Sequence, residues 1–298
     1  MSITRILWEN HGLLRRSFYC AINYGILSAW QRCRSLNNSP EEPDFVAGLA
    51  LESTPFLYWT INSVLRPYGI SVSVYGVFCH QKPEVKFLHG DKHGCELGDI
   101  LFAYIHTASN GAVTSRTALL CQAKCSAEQR YQIPSNGRKQ LRLYTEWPDF
   151  AYQRSSTLNG EERFVTPKLP HAGAQYLLID PRAPEASAGL LGVPHTYPVG
   201  CCIADEWLRD HSELAEELFN MLILRTGRPF EGHRECGDKK DWSRVVWDLL
   251  ETGMKKSFNR ANSGRRESPR LSGAPLKAMD GTTFVNCSSQ WPLDTANE

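Results

Sequence analysis

The chain has 298 residues, of which 42% are hydrophobic and 22% are charged, and its formal net charge is +1. It is long enough for one large domain or two modest ones, each with a substantial core. A net charge near zero excludes a strong overall field for nucleic acid, so any basic surface must be local.

The cysteine pattern and the N-terminus indicate a reduced protein. Most of the ten cysteines lie within apolar runs, as Cys79, Cys121, Cys201 and Cys202 do, where a free thiol packs as a small hydrophobe. The chain is too long for a small disulfide scaffold. Glu9 and nearby arginines interrupt any signal-peptide core, and no stretch approaches the roughly 20 apolar residues of a membrane span. We therefore expect a cytoplasmic protein with no membrane association.

Two helical segments are predicted in the first part of the chain. Apolar residues recur at intervals of three and four over residues 3–34, which is the spacing of an amphipathic helix. Turn formers and prolines follow, and a second helix is predicted over 44–65. Pro55 lies within that segment and is expected to kink or restart the helix.

The middle of the chain favours a sheet. β-Branched and aromatic residues predict strands over 70–80, 84–88, 99–108, 118–124 and 174–180. A Ser-Asn-Gly turn joins the third and fourth of these strands as a hairpin. The strands show little alternation of apolar and polar residues, so helices are expected to cover at least one face.

Two further amphipathic helices are predicted toward the C-terminus, over 212–227 and 241–258. Ser212 suits the N-cap of the first helix, and Gly227 suits its end. Their apolar faces are expected to pack on the core or on a partner. The residues near 255–275 have the composition of a basic mobile linker, a segment suited to contacting phosphates.

Polar residues interrupt the apolar runs of the predicted hairpin. Asp99 begins one strand, and Gln122 and Lys124 lie near the end of the next. Residues two apart on a strand share a face, so Gln122 and Lys124 project together, and hairpin pairing brings Asp99 beside them. Carboxylate and amide oxygens are hard ligands suited to Mg²⁺, and a nearby lysine can stabilise developing negative charge. The pattern predicts a site for phosphodiester cleavage.

These residues resemble the PD-(D/E)XK nuclease superfamily, in the variant that carries glutamine in the last motif. The matching positions are Asp99 in "ELGDILF" and Gln122 and Lys124 in "LLCQAK". The resemblance implies that Asp99 and Gln122 bind Mg²⁺ or Mn²⁺ and that Lys124 assists the attack. It also implies a further acidic ligand, for which Glu52 in the preceding helix is narrowly favoured over Glu96.

The same resemblance implies an α/β fold with a restriction-endonuclease-like mixed sheet flanked by helices. Residues 41–180 would form the nuclease core, 1–40 an N-terminal helical extension and 181–298 a C-terminal helical elaboration. The implied function is a metal-dependent endonuclease for DNA, of the kind found in bacterial anti-phage defence systems. We expect it to be an effector subunit that stays inactive until a partner, such as an ATPase or helicase, or a second copy engages it.

Four alternatives remain open from the sequence. A non-catalytic subunit could keep the nuclease fold for assembly, or the substrate could be RNA. Asp99 and Lys124 could also be ordinary strand-end residues. The fourth alternative is structural zinc, but the spacing of the candidate ligands gives it little support. Those candidates are His80, His89, His93, Cys95, Cys121, Cys125, His233 and Cys236.

Overall fold

A large mixed sheet flanked by helices forms the centre of the protein. The computed structural model describes residues 3–89, 93–128, 130–155, 157–168, 173–182, 198–254 and 284–287. The basic linker predicted near 255–275 lies outside the described residues. Within them, no helix combines the length and the apolar character that crossing a membrane requires.

The N-terminal helices follow the apolar periodicity of the sequence. Helix α1 spans Ile3–Glu9 and α2 spans His11–Ser35, so the helical segment predicted over 3–34 is confirmed with one interruption. The interruption falls at Asn10, whose side-chain amide donates to the carbonyl oxygen of Ile6 at 2.9 Å.

The helix predicted over 44–65 is divided in two. Helix α3 spans Glu42–Gly48, a π-helical turn spans Leu49–Ser53, and α4 spans Thr54–Leu65. Pro55 lies in the first turn of α4, directly after the π-helical turn. Gly48, Ser53 and Thr54 all have right-handed helical backbone angles, so the helix is irregular before Pro55 but does not end and restart there.

The central sheet is built around an antiparallel meander. Strands β1, β4 and β5 pair antiparallel in that order, and β5 then pairs parallel with β9. The full order is β13-β1-β4-β5-β9-β10-β11-β6, with β12 on β5, and a smaller sheet has the order β3-β2-β7-β8. The strands are β1 (Ser71–Phe78), β2 (Glu84–Phe87), β3 (Cys95–Glu96), β4 (Ile100–Thr107), β5 (Val113–Cys125), β6 (Arg130–Gln132), β7 (Phe150–Gln153), β8 (Glu162–Arg163), β9 (Ala174–Ile179), β10 (Val199–Cys202), β11 (Trp207–Glu213), β12 (Arg228–Pro229) and β13 (Phe284–Cys287).

Four helices follow the meander: α5 (Arg138–Glu146), α6 (Leu214–Leu222), α7 (His233–Cys236) and α8 (Trp242–Met254). Helix α8 confirms the second C-terminal prediction. The first prediction was too long, because Ser212 lies in β11 and Glu213 occupies the N-cap position of α6. Ser212, whose side chain suits an N-cap, instead pairs with Cys201 of β10.

Two hydrophobic cores lie on the two faces of the central sheet. The first core contains apolar residues of α2, α3, α4 and α6, such as Phe18, Phe45 and Phe219. The second core contains residues of α5, α8 and the smaller sheet, such as Trp147 and Val245. Both C-terminal helices thus bury their apolar faces within the chain, and helices cover both faces of the sheet.

Candidate metal centre

The β4–β5 hairpin brings three predicted site residues to one face of the sheet. Leu101 and Leu120 both point into the second core. Asp99 is two residues before Leu101, and Gln122 and Lys124 are two and four residues after Leu120, so all three share that face. This is the arrangement that the spacing of the sequence predicts.

Asp99 is fully enclosed, and each of its carboxylate oxygens has a partner. Oδ1 lies 2.6 Å from Nδ1 of His80, and Oδ2 accepts a hydrogen bond of 2.8 Å from the backbone N–H of Ala123. A buried carboxylate is tolerated when it is hydrogen-bonded in this way. The two bonds fix Asp99 between the end of β1 and the end of β5.

A glutamate from the helical layer completes the cluster. Glu42, the first residue of α3, accepts hydrogen bonds from Nζ of Lys124 at 3.3 Å and 3.5 Å. One ligand atom each from Glu42, His80 and Asp99 lies within 4.8 Å of the other two. Two carboxylates and an imidazole therefore converge beside the ammonium group of Lys124.

Glu96 lies at the rim of this cluster. Its Oε2 is 3.8 Å from Nδ1 of His80, and its side chain is 29% exposed. The residue belongs to β3, where it lies opposite Glu84 of β2 in the smaller sheet. Glu96 is thus close to the three converging ligands without being one of them.

Burial and mutual charge shape the ionisation of the cluster. Burial raises the pKa of Glu42 to about 7, with Lys124 opposing the shift and Asp99 adding to it. Burial also raises the pKa of Glu96, and Asp99 adds to that shift. Enclosed carboxylates close together favour the binding of a cation, which would relieve both effects.

Burial acts in the opposite direction on the two basic groups, but the nearby carboxylates outweigh it. Burial alone would lower the pKa of His80, but its hydrogen bond to Asp99 and the nearby carboxylates leave that pKa raised. Burial likewise opposes the charge of Lys124, and the carboxylates of Glu42 and Asp99 leave its pKa raised as well. Lys124 therefore stays a cation at neutral pH.

Gln122 is held by a second amide. Its Oε1 accepts a hydrogen bond from Nε2 of Gln140 in α5, which also donates to the carbonyl oxygen of Glu96 at 3.1 Å. One turn further along α5, the hydroxyl of Tyr144 donates to the carbonyl oxygen of Leu97 at 3.0 Å. Helix α5 thus ties β5 to the segment that leads from β3 to Asp99.

Glu52, the narrowly favoured acidic residue, lies in the π-helical turn. Its Oε1 accepts a 2.7 Å hydrogen bond from Nη1 of Arg32 on α2. It is not among the ligand groups that converge in the described residues. The helical layer does supply an acid to the cluster, but ten residues earlier, at Glu42.

Three residues of the centre were not assigned to it from the sequence. Glu42 lies just before the segment predicted as a helix, and its position next to Pro43 and Asp44 is a helix-start signal that could have extended that prediction. His80 entered only as a candidate zinc ligand. Gln140 lies in a segment without clear periodicity, and no local signal pairs it with Gln122.

Among the described residues, the one set of three or more converging His, Cys, Asp or Glu ligands is Glu42, His80 and Asp99. This set contains one of the candidate zinc ligands, His80. The other candidate histidines and cysteines are not part of it.

The chain was also compared with known proteins. No protein-family model, curated protein or solved structure matches it.

Proposed function

We propose that this protein is a metal-dependent nuclease that hydrolyses phosphodiester bonds in DNA. The observation that carries the proposal is the convergence of Glu42, His80 and Asp99 beside Lys124 at one end of the central sheet. Burying carboxylates in a cluster with a lysine costs folding free energy. A catalytic or metal-binding role therefore accounts for the cluster better than a structural role does.

The surrounding architecture supports the PD-(D/E)XK resemblance. Asp99 precedes β4, the Gln-x-Lys motif lies on β5, and the acidic residue comes from a helix that precedes the meander. The mixed sheet with helices on both faces is the coarse form of the restriction-endonuclease-like fold that we propose for the core. In this proposal Glu42 takes the place of Glu52.

The donor set fits a divalent cation. Glu42 and Asp99 would supply carboxylate oxygens, and His80 would supply a ring nitrogen. The ion would polarise the phosphate and lower the pKa of a bound water molecule. Mg²⁺ prefers oxygen ligands, whereas imidazole suits transition metals, so the mixed set favours Mn²⁺ over Mg²⁺.

Each side chain then has a definite task. The Ala123 N–H holds Oδ2 of Asp99, which leaves Oδ1 and the His80 ring to turn toward a cation. Lys124, released from Glu42 when that carboxylate binds the cation, would stabilise negative charge on the phosphate. Gln122 is 2% exposed and its Oε1 is bonded to Nε2 of Gln140, so in this proposal it holds β5 against α5.

The internal pairing also supports a low resting activity. Lys124 is engaged with Glu42, and His80 is engaged with Asp99, so ligand binding must compete with existing bonds. The net charge of +1 provides little general attraction for DNA. We therefore propose that full activity requires a partner or trigger. The resemblance to the nuclease superfamily adds the proposal that the protein is an effector subunit of a bacterial defence system.

Metal binding tests the proposal without relying on activity. Titration calorimetry should show Mn²⁺ binding to the wild-type chain, with an affinity reduced at least about tenfold in Asp99→Asn, a loss of about 1.4 kcal/mol. Glu42→Gln should show a similar loss, whereas Glu52→Gln is the matched control and should bind normally. Equal binding by all four proteins would contradict the assignment of the ligands.

A further inference from the structure

An exposed aromatic surface lies on the helical layer outside the first core. Tyr24 and Leu27 of α2 are 49% and 40% exposed, and Phe56 and Trp59 of α4 are 41% and 54% exposed. We call these four residues the aromatic face. Large apolar side chains that cluster on a surface mark binding sites more often than single ones do.

The aromatic face is continuous across the two helices. Each pair on one helix is three residues apart, which places its members on the same side of that helix. The rings of Tyr24 and Phe56 are 6.5 Å apart, and this contact joins the two pairs. The opposite sides of both helices are buried, for instance at Ile26.

The unpaired charges beside the aromatic face are basic, since Glu52, one turn before Phe56, is paired with Arg32 at 2.7 Å. Helix α2 contains arginines but no acidic residue, and α4 contains no charged residue. Arg16 lies on the same side of α2 as Leu27, and Arg66 stacks over the ring of Trp59 at 5.5 Å. Neither arginine has a carboxylate partner in the described part of the chain.

Two other arginines of α2 are paired with carboxylates, so the lack of a carboxylate partner is confined to the side of α2 that carries the aromatic face. Arg15 pairs with Glu216 at 2.9 Å, and Arg32 pairs with Glu52 at 2.7 Å. These two project to the sides of α2 that meet other elements of the chain. Arg34, two turns beyond Leu27 on the same side, stacks over the ring of Trp30 at 5.2 Å. Arg16 and Arg66 are therefore the arginines left for an external partner.

We propose that the aromatic face docks an amphipathic helix of a partner protein, with acidic residues flanking its apolar stripe. Two neighbouring helices with exposed side chains form the type of groove that accepts a third helix. Glutamates or aspartates on the partner would meet Arg16 and Arg66, which gives charge complementarity and sets the orientation.

The charges disfavour two other occupants. A second copy docking through the same face would bring the arginines of both copies together, because Glu52, one turn before Phe56, is already paired with Arg32. Single-stranded nucleic acid would use the rings for stacking, but tracking its backbone requires a row of cations, and the described residues beside the face offer two unpaired arginines. An acidic helix satisfies both the apolar and the basic parts of the surface.

The inference does not depend on the nuclease proposal. The aromatic face belongs to the outer side of the helices that cover the first core, whereas Asp99 and Lys124 project on the second-core face of the sheet. A partner can therefore bind without occupying the metal centre. Metal binding and docking can fail or succeed separately.

The test uses two labelled helical peptides with the same leucine and tryptophan stripe, one flanked by glutamates and the other by lysines. Fluorescence anisotropy with the full chain should show that the glutamate peptide binds at least about tenfold more tightly than the lysine peptide, a difference of about 1.4 kcal/mol. Trp59→Ser and Arg66→Glu should each weaken that binding by a similar factor. Trp207→Ser, which alters a tryptophan on β11 that is 45% exposed, should leave the binding unchanged.

Three results would overturn the proposal. The first is equal binding of the two peptides, and the second is glutamate-peptide binding that persists in both Trp59→Ser and Arg66→Glu. The third is an alternative occupant: displacement of the peptide by oligothymidine would assign the face to nucleic acid, and sedimentation of a dimer that Arg66→Glu dissociates would assign it to a second copy. Circular dichroism of each variant verifies that the fold is retained.

Discussion

Buried polar side chains fall into two sets that differ in hydrogen bonding. At the metal centre, Asp99 is enclosed but both of its oxygens are bonded. On β4, the strand that follows Asp99, both ring nitrogens of His106 and the hydroxyl of Tyr104 are enclosed without a hydrogen-bond partner among the described residues. The first set suits a functional site, whereas the second should cost stability.

His106 should make stability depend on pH. Burial lowers its pKa from 6.5 to about 4, so the unfolded chain binds more protons between these values. The unfolding free energy should therefore fall by about 3 kcal/mol from this group alone as pH drops from 7 to 4. Urea unfolding across that range measures it.

The matched variants for this prediction are His106→Leu and His89→Leu. Removing His106 should abolish its share of the pH dependence, whereas removing His89, an exposed histidine without an ion pair among the described residues, should change the dependence less. If His106→Leu retains the wild-type slope, the ring is not held neutral by burial.

Gln140 should stabilise the metal centre without touching the metal. Gln140→Met keeps the size of the side chain but leaves Oε1 of Gln122 and the carbonyl oxygen of Glu96 without their donor. The unfolding free energy should fall by about 1–3 kcal/mol, the cost of buried acceptors left unsatisfied. The exposed Gln132→Met on β6 is the control, and equal stability of the two variants would argue against the amide pair.

At the scale of elements, a close crossing positions the helix that carries Glu42. A Cβ on Gly25 of α2 would lie 2.2 Å from Oγ of Ser53 and 2.8 Å from the carbonyl oxygen of Gly48. Neither approach is tolerated by real side chains, so α2 lies against α3 and the π-helical turn because both meeting residues are glycines.

Gly25→Ala should therefore lower the unfolding free energy by about 1–3 kcal/mol through overpacking. It should also weaken Mn²⁺ binding, because α3 carries Glu42. Gly12→Ala is the matched change in the same helix: a Cβ there meets nothing within 4 Å. That variant should be as stable as the wild type or more stable by up to about 1 kcal/mol, as alanine favours a helix. Thermal unfolding and calorimetry distinguish the two, and a harmless Gly25→Ala would contradict the crossing.

The elements show which parts of the fold are predictable from sequence. The β4–β5 hairpin is predictable, because its turn and its apolar runs are local signals. The π-helical turn at Leu49–Ser53 and the short form of α6 are not, because tertiary contacts decide them. Ser212 has the side chain of an N-cap, but pairing of β11 with β10 outweighs that preference.

At the scale of the whole molecule, the candidate site combines local and long-range information. Asp99, Gln122 and Lys124 could be predicted together because one hairpin places them on one face. Glu42 and His80 reach the cluster from elements far away in sequence, and only the packing of α3 on the sheet selects Glu42 over Glu52. A single sequence contains no local signal for that packing.

The two cores also bear on how the chain is organised. Helix α2 shares the first core with strands of the sheet and with α6, and α8 shares the second core with the smaller sheet. A buried ion pair of 2.7 Å between Arg163 of β8 and Asp248 of α8 adds to that connection. The N-terminal and C-terminal helices therefore support the same sheet that holds the metal centre.

The most direct test of the central claim is cleavage of supercoiled plasmid DNA under single-turnover conditions, with protein in excess and Mn²⁺ or Mg²⁺ present. We expect slow nicking by the wild-type chain, and the nicking should be faster with Mn²⁺ than with Mg²⁺. Chelation of the metal, Lys124→Ala and Glu42→Gln should each abolish the nicking. Glu52→Gln should retain it. Cleavage that survives in Lys124→Ala, or that needs no metal, would contradict the assignment. Mn²⁺ binding without any cleavage would identify a non-catalytic subunit instead.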